Sequence, residues 1–479
     1  MTGCVENGPM STTVEQEVTA GVDPTTVARL QRRTLLVLAT TQVVGGAGIA
    51  VGLTVGALLA ARMAGTGLSG LAQSAAVVGA ALFAVPVTRV MTLHGRRPGI
   101  GLAYGIAAVG AVLVLIAAAW GSLPLLLAGL FLFGAGSTAN MQARYAAADL
   151  ADPARRGRQL SLVVWATAIG SIAGPNLAPL VDGAWQRWGQ IEYAGPFLAG
   201  AVAFVVAVLV VMVALRPDPL LTARALDSAR AGARAAAARS ADGPAGAETA
   251  SAETPGAEAE VAETPGVETG GTGPARRPNA RGVRAAVREV AASPPARLGL
   301  AAMTVGHVVM ISVMTMTPVH IDHQGHPDSL RIIGWVISVH IAGMYLLAPV
   351  VGWLTDRVGR RAVILGGIGL LVAACTVAGL SGHHTGGLTV GLGLLGMGWS
   401  ATMVSGSTLL TESVGLANRA SIQGLADLVM GLGGAAAGAL AGVVVAWSSY
   451  ATLTMVAGLV TVPLLAAALR PAVHFGRVA

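Results

Sequence analysis

There is no lysine anywhere in this chain, and little else that carries charge. Charged residues make up 11% of the 479 positions, where a soluble domain holds about a quarter. Such a surface is not solvated by water, so a soluble globular domain is excluded. Without lysine there is no phosphate-cradling loop of the kind that uses one, and neither H-E-x-x-H nor a nucleophile elbow occurs. With no soluble catalytic constellation, the expectation is that the chain is not an enzyme. The two cysteines, Cys4 and Cys375, stand in a polar tail and an apolar run, which is no disulfide framework. All thirty basic residues are arginine, which reads as the codon usage of a GC-rich genome. The net charge of +7 calls for no nucleic acid, because basic loops on one face of a membrane protein give the same balance.

Apolar residues and glycine fill the space that charge leaves. Apolar residues reach 54%, the mean hydropathy is +0.69, and there are 65 glycines, which let helices approach closely in lipid. A span needs about 20 predominantly apolar residues. Twelve stretches qualify: 34–61, 68–91, 99–119, 123–146, 160–182, 194–215, 298–321, 331–353, 361–381, 386–410, 422–445 and 450–469. The first is too long, and too far from the start, to be a cleaved signal. Threading these spans leaves only Arg62, Arg187 and Arg331 in loops on one side, and the other 27 arginines on or facing the second side. The positive-inside bias makes the crowded side cytoplasmic, so a multi-pass protein of the cytoplasmic membrane is expected, with both termini inside.

Composition also marks the divisions. Residues 1–30 read as a disordered cytoplasmic tail and 471–479 as a cytoplasmic tail, 31–216 as one six-span half and 297–470 as another. Between them, residues 217–296 turn to Ala, Gly, Glu, Thr, Pro and Arg, with Ala-Glu-Thr-Pro-Gly recurring at 252–256 and 262–266. So few large apolar side chains do not offset the entropy of ordering, and this central loop is expected to be mostly disordered. Its Arg281–Arg288 end reads either as a solvated linker or as a short amphipathic helix.

The halves repeat each other. Gly95-Arg96-Arg97 joins two apolar runs in the first half, and Gly352-Trp-Leu-Thr-Asp356-Arg357-Val-Gly359-Arg360-Arg361 joins two in the second, with the arginine pairs 264 positions apart. Gly134-Ala-Gly136 with Met141 matches Gly396-Met-Gly398 with Met403 at an offset of 262. The second turn resembles the G-x-L-x-D-R-x-G-R-R loop signature of the major facilitator superfamily, and the likeness extends over essentially all of the apolar length. It implies an all-α membrane fold, twelve transmembrane helices in two pseudo-symmetric six-helix bundles. It also implies a gating role for Gly352, Asp356, Arg357, Gly359 and Arg361, with Arg360 beside them, as a latch made and broken on the cytoplasmic side. In the first copy Thr92 and Leu93 stand where the Asp and the first Arg belong, so Gly95, Arg96 and Arg97 keep only part of the motif.

The fifth stretch carries Gly170-Ser-Ile-Ala-Gly174-Pro175, which resembles the antiporter signature of exporters in that family, although Ser161 and Pro179 occupy positions where glycine is usual. Two glycines four apart clear a helix face, and Pro175 removes a backbone donor. The exporter arginine expected before Gly134 is missing: Leu130 and Phe131 are there instead. The only charge in that stretch is Arg144. Candidates for proton coupling are Asp427, an acid inside the eleventh stretch and costly there unless paired or hydrated, and the histidines His307, His320 and His323. Asp427 reads equally as a helix-start group beside Arg419. His320, His323 and His326, spaced by threes beside Asp322 and Asp328, either pack at the interface, respond to protons or bind a metal; no metal is expected. Met303, His307, Met310 and Met314 recur at spacings of 4, 3 and 4 and share a helix face, with the methionines as adaptable cavity candidates.

Together these features predict a secondary transporter working by alternating access. The favoured activity is proton-coupled export of a small amphipathic molecule, with the proton gradient in place of any cofactor, and with a single copy of the chain in the bilayer as the working unit. Proton-coupled nutrient uptake, and a non-transporting sensor or scaffold acting through the central loop, are the alternatives.

Overall fold

The computed structural model describes residues 24–147, 149–151, 156–188, 191–241, 280–414 and 419–470. They are helical throughout, with no strand among the described residues. The first half comprises α1 (Pro24–Ala64), α2 (Thr66–His94), α3 (Arg96–Trp120), α4 (Leu123–Phe133), α5 (Ala135–Ala146), α6 (Arg156–Gln186) and α7 (Gly195–Ala214). Then come α8 (Pro219–Ala241) and α9 (Ala280–Ala292). The second half holds α10 (Pro294–Asp322), α11 (Ser329–Tyr345), α12 (Ala348–Val358), α13 (Arg360–Leu380), α14 (Thr385–Glu412), α15 (Arg419–Trp447), α16 (Tyr450–Leu459) and α17 (Val462–Leu469). The pairs α4/α5, α11/α12 and α16/α17 each build one span in two pieces, and among the described residues eleven spans are long and apolar enough to cross a membrane. The fifth expected stretch lies in α6, a 31-residue helix packed along α1 and α11. Its Ser, Asn, Pro and Asp content lowers its hydropathy without removing it from the bundle. Large apolar side chains such as Leu82, Val109, Leu180, Leu209, Leu432 and Leu440 are exposed on the outer surface, as lipid requires.

Local chemistry sets the helix ends. Ser293 accepts from the Ala296 amide and Pro294 opens α10, while Ser449 accepts from the Thr452 amide at the start of α16. The two arginine turns are hinged on Gly95 at φ 96° and Gly359 at φ 100°, a left-handed backbone that side chains disfavour. These hinges too are 264 positions apart.

The ends of the 217–296 stretch depart from the expected disorder. Asp218 caps α8 through the amides of Leu220 and Leu221, accepts from the Arg97 amide at 2.7 Å, and so ties this helix to the first arginine turn. Arg224 adds a bond to the Thr92 carbonyl at 2.9 Å. Alanine's helix propensity supports α8 where burial is slight. In α9, Ala286 and Val290 are buried in a cluster with Ala296, Met303, Leu410 and Met430, so the amphipathic alternative is the one found. The end of the expected disordered tail, residues 24–30, is instead helical and opens α1; residues 1–23, 242–279 and 471–479, on which the rest of the expected tails and the middle of the central loop fall, lie outside the described residues.

Candidate functional site

Each bundle closes on its own small residues. A Cβ at Gly170 would collide with the Val43 carbonyl, and one at Gly174 would lie 2.6 Å from the Ala47 carbonyl oxygen, so the Gly-x-x-x-Gly face presses α6 onto the backbone of α1. The helix runs on through Pro175, whose carbonyl oxygen sits 2.6 Å from a Cβ built at Gly334 of α11. Gly134 packs on Ala76 of α2, and Gly396 packs on His340 of α11 in the same way, so the 262-residue repeat is a repeat of helix contacts.

Between the bundles lies a cavity of about 420 Å³, lined from α1, α2, α5, α6, α10 and α11. Polar groups come mainly from the first bundle, among them Thr54, Gln73, Ser137, Asn140 and Arg144. The second bundle adds His307, Met310, Met314, Thr315, Met344 and Tyr345. Met310 and Met314 therefore face the cavity, whereas Met303 is buried in the cluster beside α9. This splits the methionine stripe, because α9 covers the end of the face that the sequence leaves open. The His307 ring accepts from Trp399 Nε1 at 3.4 Å, and Trp399 packs edge-on against Tyr345.

Contacts that join the bundles concentrate on the face away from the arginine turns. On one side of the cavity, Ser74 Oγ donates to the Ala435 carbonyl at 2.6 Å, and a Cβ at Gly70 would strike the Gly438 carbonyl. On the other, Asn176 Nδ2 donates to Ser338 Oγ at 2.6 Å. Tyr193, in the α6–α7 loop, donates to Asp322 at the end of α10 at 2.5 Å, and Ser329 donates to the same carboxylate at 3.0 Å. The Arg62 guanidinium stacks 4.7 Å over the Tyr193 ring and pairs with Glu192 at 2.5 Å. Burial, and then the bond to Asp322, raise the Tyr193 hydroxyl well above the ordinary tyrosine range, which keeps it a donor.

On the arginine face, no hydrogen bond or ion pair joins the bundles among the described residues. Each turn instead grips its own bundle. Arg96 makes two bonds to Asp149, at 2.8 and 3.0 Å, and Arg360 two to Glu412, at 3.0 and 2.7 Å. The two carboxylates stand 263 positions apart, a match to the other offsets by which the pair was legible in the sequence. Arg361 binds the carbonyls of Ala468 and Arg470. Asp356 is 75% exposed and reaches only Arg360, at 3.4 Å, Arg357 lies over the Trp353 ring, and nothing stands within 4 Å of a Cβ at Gly352. The cavity is thus shut on one face and open toward the arginines.

The remaining candidates disperse. Asp427 is exposed on α15, near enough to Tyr145 of α5 to act on it electrostatically. His320 stacks on Tyr450 at 4.3 Å and bonds the Gly382 carbonyl at 3.1 Å, while His323 and His326 are exposed. No three metal-ligating side chains converge among the described residues. Arg144 at the cavity and Tyr193 were not among the functional residues that the sequence singled out, and Asp322 entered only as a neighbour of the histidine cluster, not as the partner of Tyr193.

Two pseudo-repeated helical bundles around a cavity open on one face define a membrane transporter. The Major Facilitator Superfamily model matches residues 35–331 and 328–478. The uncharacterized MFS-type transporter YdeG of Bacillus subtilis (strain 168) is 36% identical over 438 residues, covering 91% of each chain. The riboflavin transporter RfnT of Brucella anthropi is 25% identical over 454 residues, covering 92% of this chain and 97% of its own. A solved structure of the nucleoside transporter NupG shares the fold, with a TM-score of 0.64 at 13% identity over 92% of this chain and 98% of that one. The chain belongs to the major facilitator superfamily and is a secondary transporter, not an enzyme.

Proposed function

We propose that this protein exports a small amphipathic molecule across the cytoplasmic membrane in exchange for protons, by alternating access and as a single chain. The observation that carries the reading is the central cavity between bundles whose joining hydrogen bonds lie away from the arginine face, the face that the positive-inside bias makes cytoplasmic. An exporter loads from that side, and the methionines of the cavity wall suit apolar bodies of varied shape. The tight α1–α6 seam at Gly170 and Gly174 supports the antiporter assignment by denying protons a path along that interface. His307, in the cavity wall, and Asp427, exposed on α15, are the groups assigned to carry the proton. His320 and His323 are the less favoured candidates, since His320 is occupied by Tyr450 and Gly382. Asp356, free of the other bundle here, docks across the cleft when the cytoplasmic face closes. The likeness to a riboflavin transporter favours a second reading, in which the cargo is a flat heteroaromatic nutrient moved inward.

Inverted membrane vesicles energised to an acidic interior distinguish these readings. A compound to which overexpression gives growth resistance should accumulate inside them and release protons as it enters. Accumulation only in right-side-out vesicles would refute export.

A further inference from the structure

Arg144 is the one formally charged side chain lining the cavity, and no carboxylate lines it. Among the arginines that hold the turns, Arg96 has Asp149, Arg360 has Glu412 and Arg361 has two carbonyls; Arg97, on the first turn and away from the cavity lining, shares with Arg144 a buried Nε without an acceptor. Arg144 makes no hydrogen bond or ion pair among the described residues, and its Nε is buried without an acceptor. A buried guanidinium N–H left unpaired is costly, and the cost is recovered only if an acceptor arrives. Asn140 stands one turn earlier on the same face of α5. Tyr104 donates to Asn140 Oδ1 at 2.7 Å, so the amide nitrogen of Asn140 is left to donate. Across the cavity the wall is apolar, with Met310, Met314, Ile337, Ile341 and Met344.

We propose that the transported molecule is an amphipathic monoanion, its carboxylate or similar single-charge head held by Arg144 and Asn140 and its apolar body laid against the α10–α11 wall. This rests on the transporter reading and narrows its cargo. One guanidinium balances one negative charge. A dianion lacks a second fixed cation, and an organic cation meets Arg144 with no carboxylate on the wall to offset it.

Matched probes test the head group apart from the body. We would titrate 1-naphthylacetate, 1-naphthylacetamide and 1-naphthylmethylamine into purified full-length protein by calorimetry, with indole-3-acetate, indole-3-acetamide and tryptamine as a second series. Each carboxylate should bind at least tenfold tighter than its amide or amine. Arg144→Gln should bring carboxylate and amide within about threefold, and Arg144→Lys should restore part of the preference, a result that loss of folding does not mimic. The proposal is overturned if the amide or amine matches the carboxylate in the wild-type protein, if the preference survives Arg144→Gln, or if no member of either series binds. Proteoliposome uptake of the same probes separates the two claims. Anion-selective binding without movement would sink the transporter reading alone, and movement without charge preference would sink this proposal alone.

Discussion

Tyr193→Phe should unlock the face of the protein that this structure shows shut. The hydroxyl of Tyr193 bonds Asp322 at 2.5 Å, from the first bundle to the second, and the ring itself is 1% exposed. Its backbone sits at φ 67°, and a side chain held there costs on the order of 1–3 kcal/mol, which the surroundings must over-determine. Arg62 on the ring and Asp322 on the hydroxyl do so. A hydrogen bond to a charged group contributes about 1.5–3 kcal/mol. Asp322 keeps its bond from Ser329 in the variant, so the low end applies, and about 1.5 kcal/mol is roughly a tenfold shift in the open–shut equilibrium. The reporter is Ser171→Cys, in the cavity wall, in a background with Cys4 and Cys375 changed to serine. A membrane-impermeant maleimide added on the Tyr193 face should label it about tenfold faster in the Phe variant, by the same arithmetic. The raised hydroxyl pKa gives a second signature. A group whose folded pKa lies above its unfolded value stabilises below the unfolded pKa and loses that contribution as pH rises past it. The difference between wild type and Phe should therefore hold from about pH 7 to 9 and shrink above about pH 10, the ordinary tyrosine value. An unchanged labelling rate with an unchanged melting temperature would refute the reasoning, since the bond would then be no part of the closure.

Gly170→Leu drives a side chain into the Val43 carbonyl and should cost about 1–3 kcal/mol by overpacking, read as a lower melting temperature in detergent; a wild-type melt would mean that the α1–α6 seam is loose. Arg96→Gln strands Asp149, whose side chain is 11% exposed, and should cost about 1.5–3 kcal/mol. Arg360→Gln frees Glu412, 48% exposed, and should cost less than about 1 kcal/mol; equal losses in the two variants would show that burial does not set the value of the pair. Asp356→Asn should leave the melting temperature within error, because the carboxylate is 75% exposed, yet slow transport in proteoliposomes; wild-type rates would remove Asp356 from gating.

The sequence states the fold in terms that repeat along the chain. Apolar runs of membrane length, glycine hinges 264 residues apart and the 262-residue glycine pairs each map onto a helix, a turn or a helix contact. The site was harder to read because a cavity is made by what two distant helices leave between them. Arg144 was visible as a lone charge, but only the placement of α5 against α10 and α11 puts it at the cavity with no acceptor. Met303 shares a stripe with Met310 and Met314, and nothing in that stripe tells that α9 covers one end. Tyr193 lies in a loop, where periodicity carries no information, and its partner Asp322 is 129 positions away.

The division of bonds between the two kinds of contact says how the molecule is able to move. Contacts within a bundle include ion pairs with two bonds each, Arg96 with Asp149 and Arg360 with Glu412, beside single hydrogen bonds such as Tyr104 to Asn140, and rigid-body motion leaves them intact. Contacts between bundles on the shut face are scattered hydrogen bonds, from Ser69 to Met316 Sδ, Ser74 to Ala435, Asn176 to Ser338, Ser338 to Ile172 and Tyr193 to Asp322, set among glycines. At about 0.5–1.5 kcal/mol each, with more for the charged one and less for the bond to sulfur, these five bonds amount to several kcal/mol. Inverting a two-state population from 1:99 to 99:1 takes about 5.5 kcal/mol of differential binding, a quantity that one buried head group and an apolar body are able to supply together. In the cycle proposed above, Asp356 would restore on the arginine face what is lost on the other, a role for which its 75% exposure leaves it available. A carboxylate already bound across the cleft would hold shut the face through which the cavity now opens. The second turn thus combines a grip through Arg360 on Glu412 with an exposed carboxylate four residues earlier that touches only that same arginine, whereas the first turn, with Thr92 and Leu93 in place of the acid and its arginine, keeps only the grip.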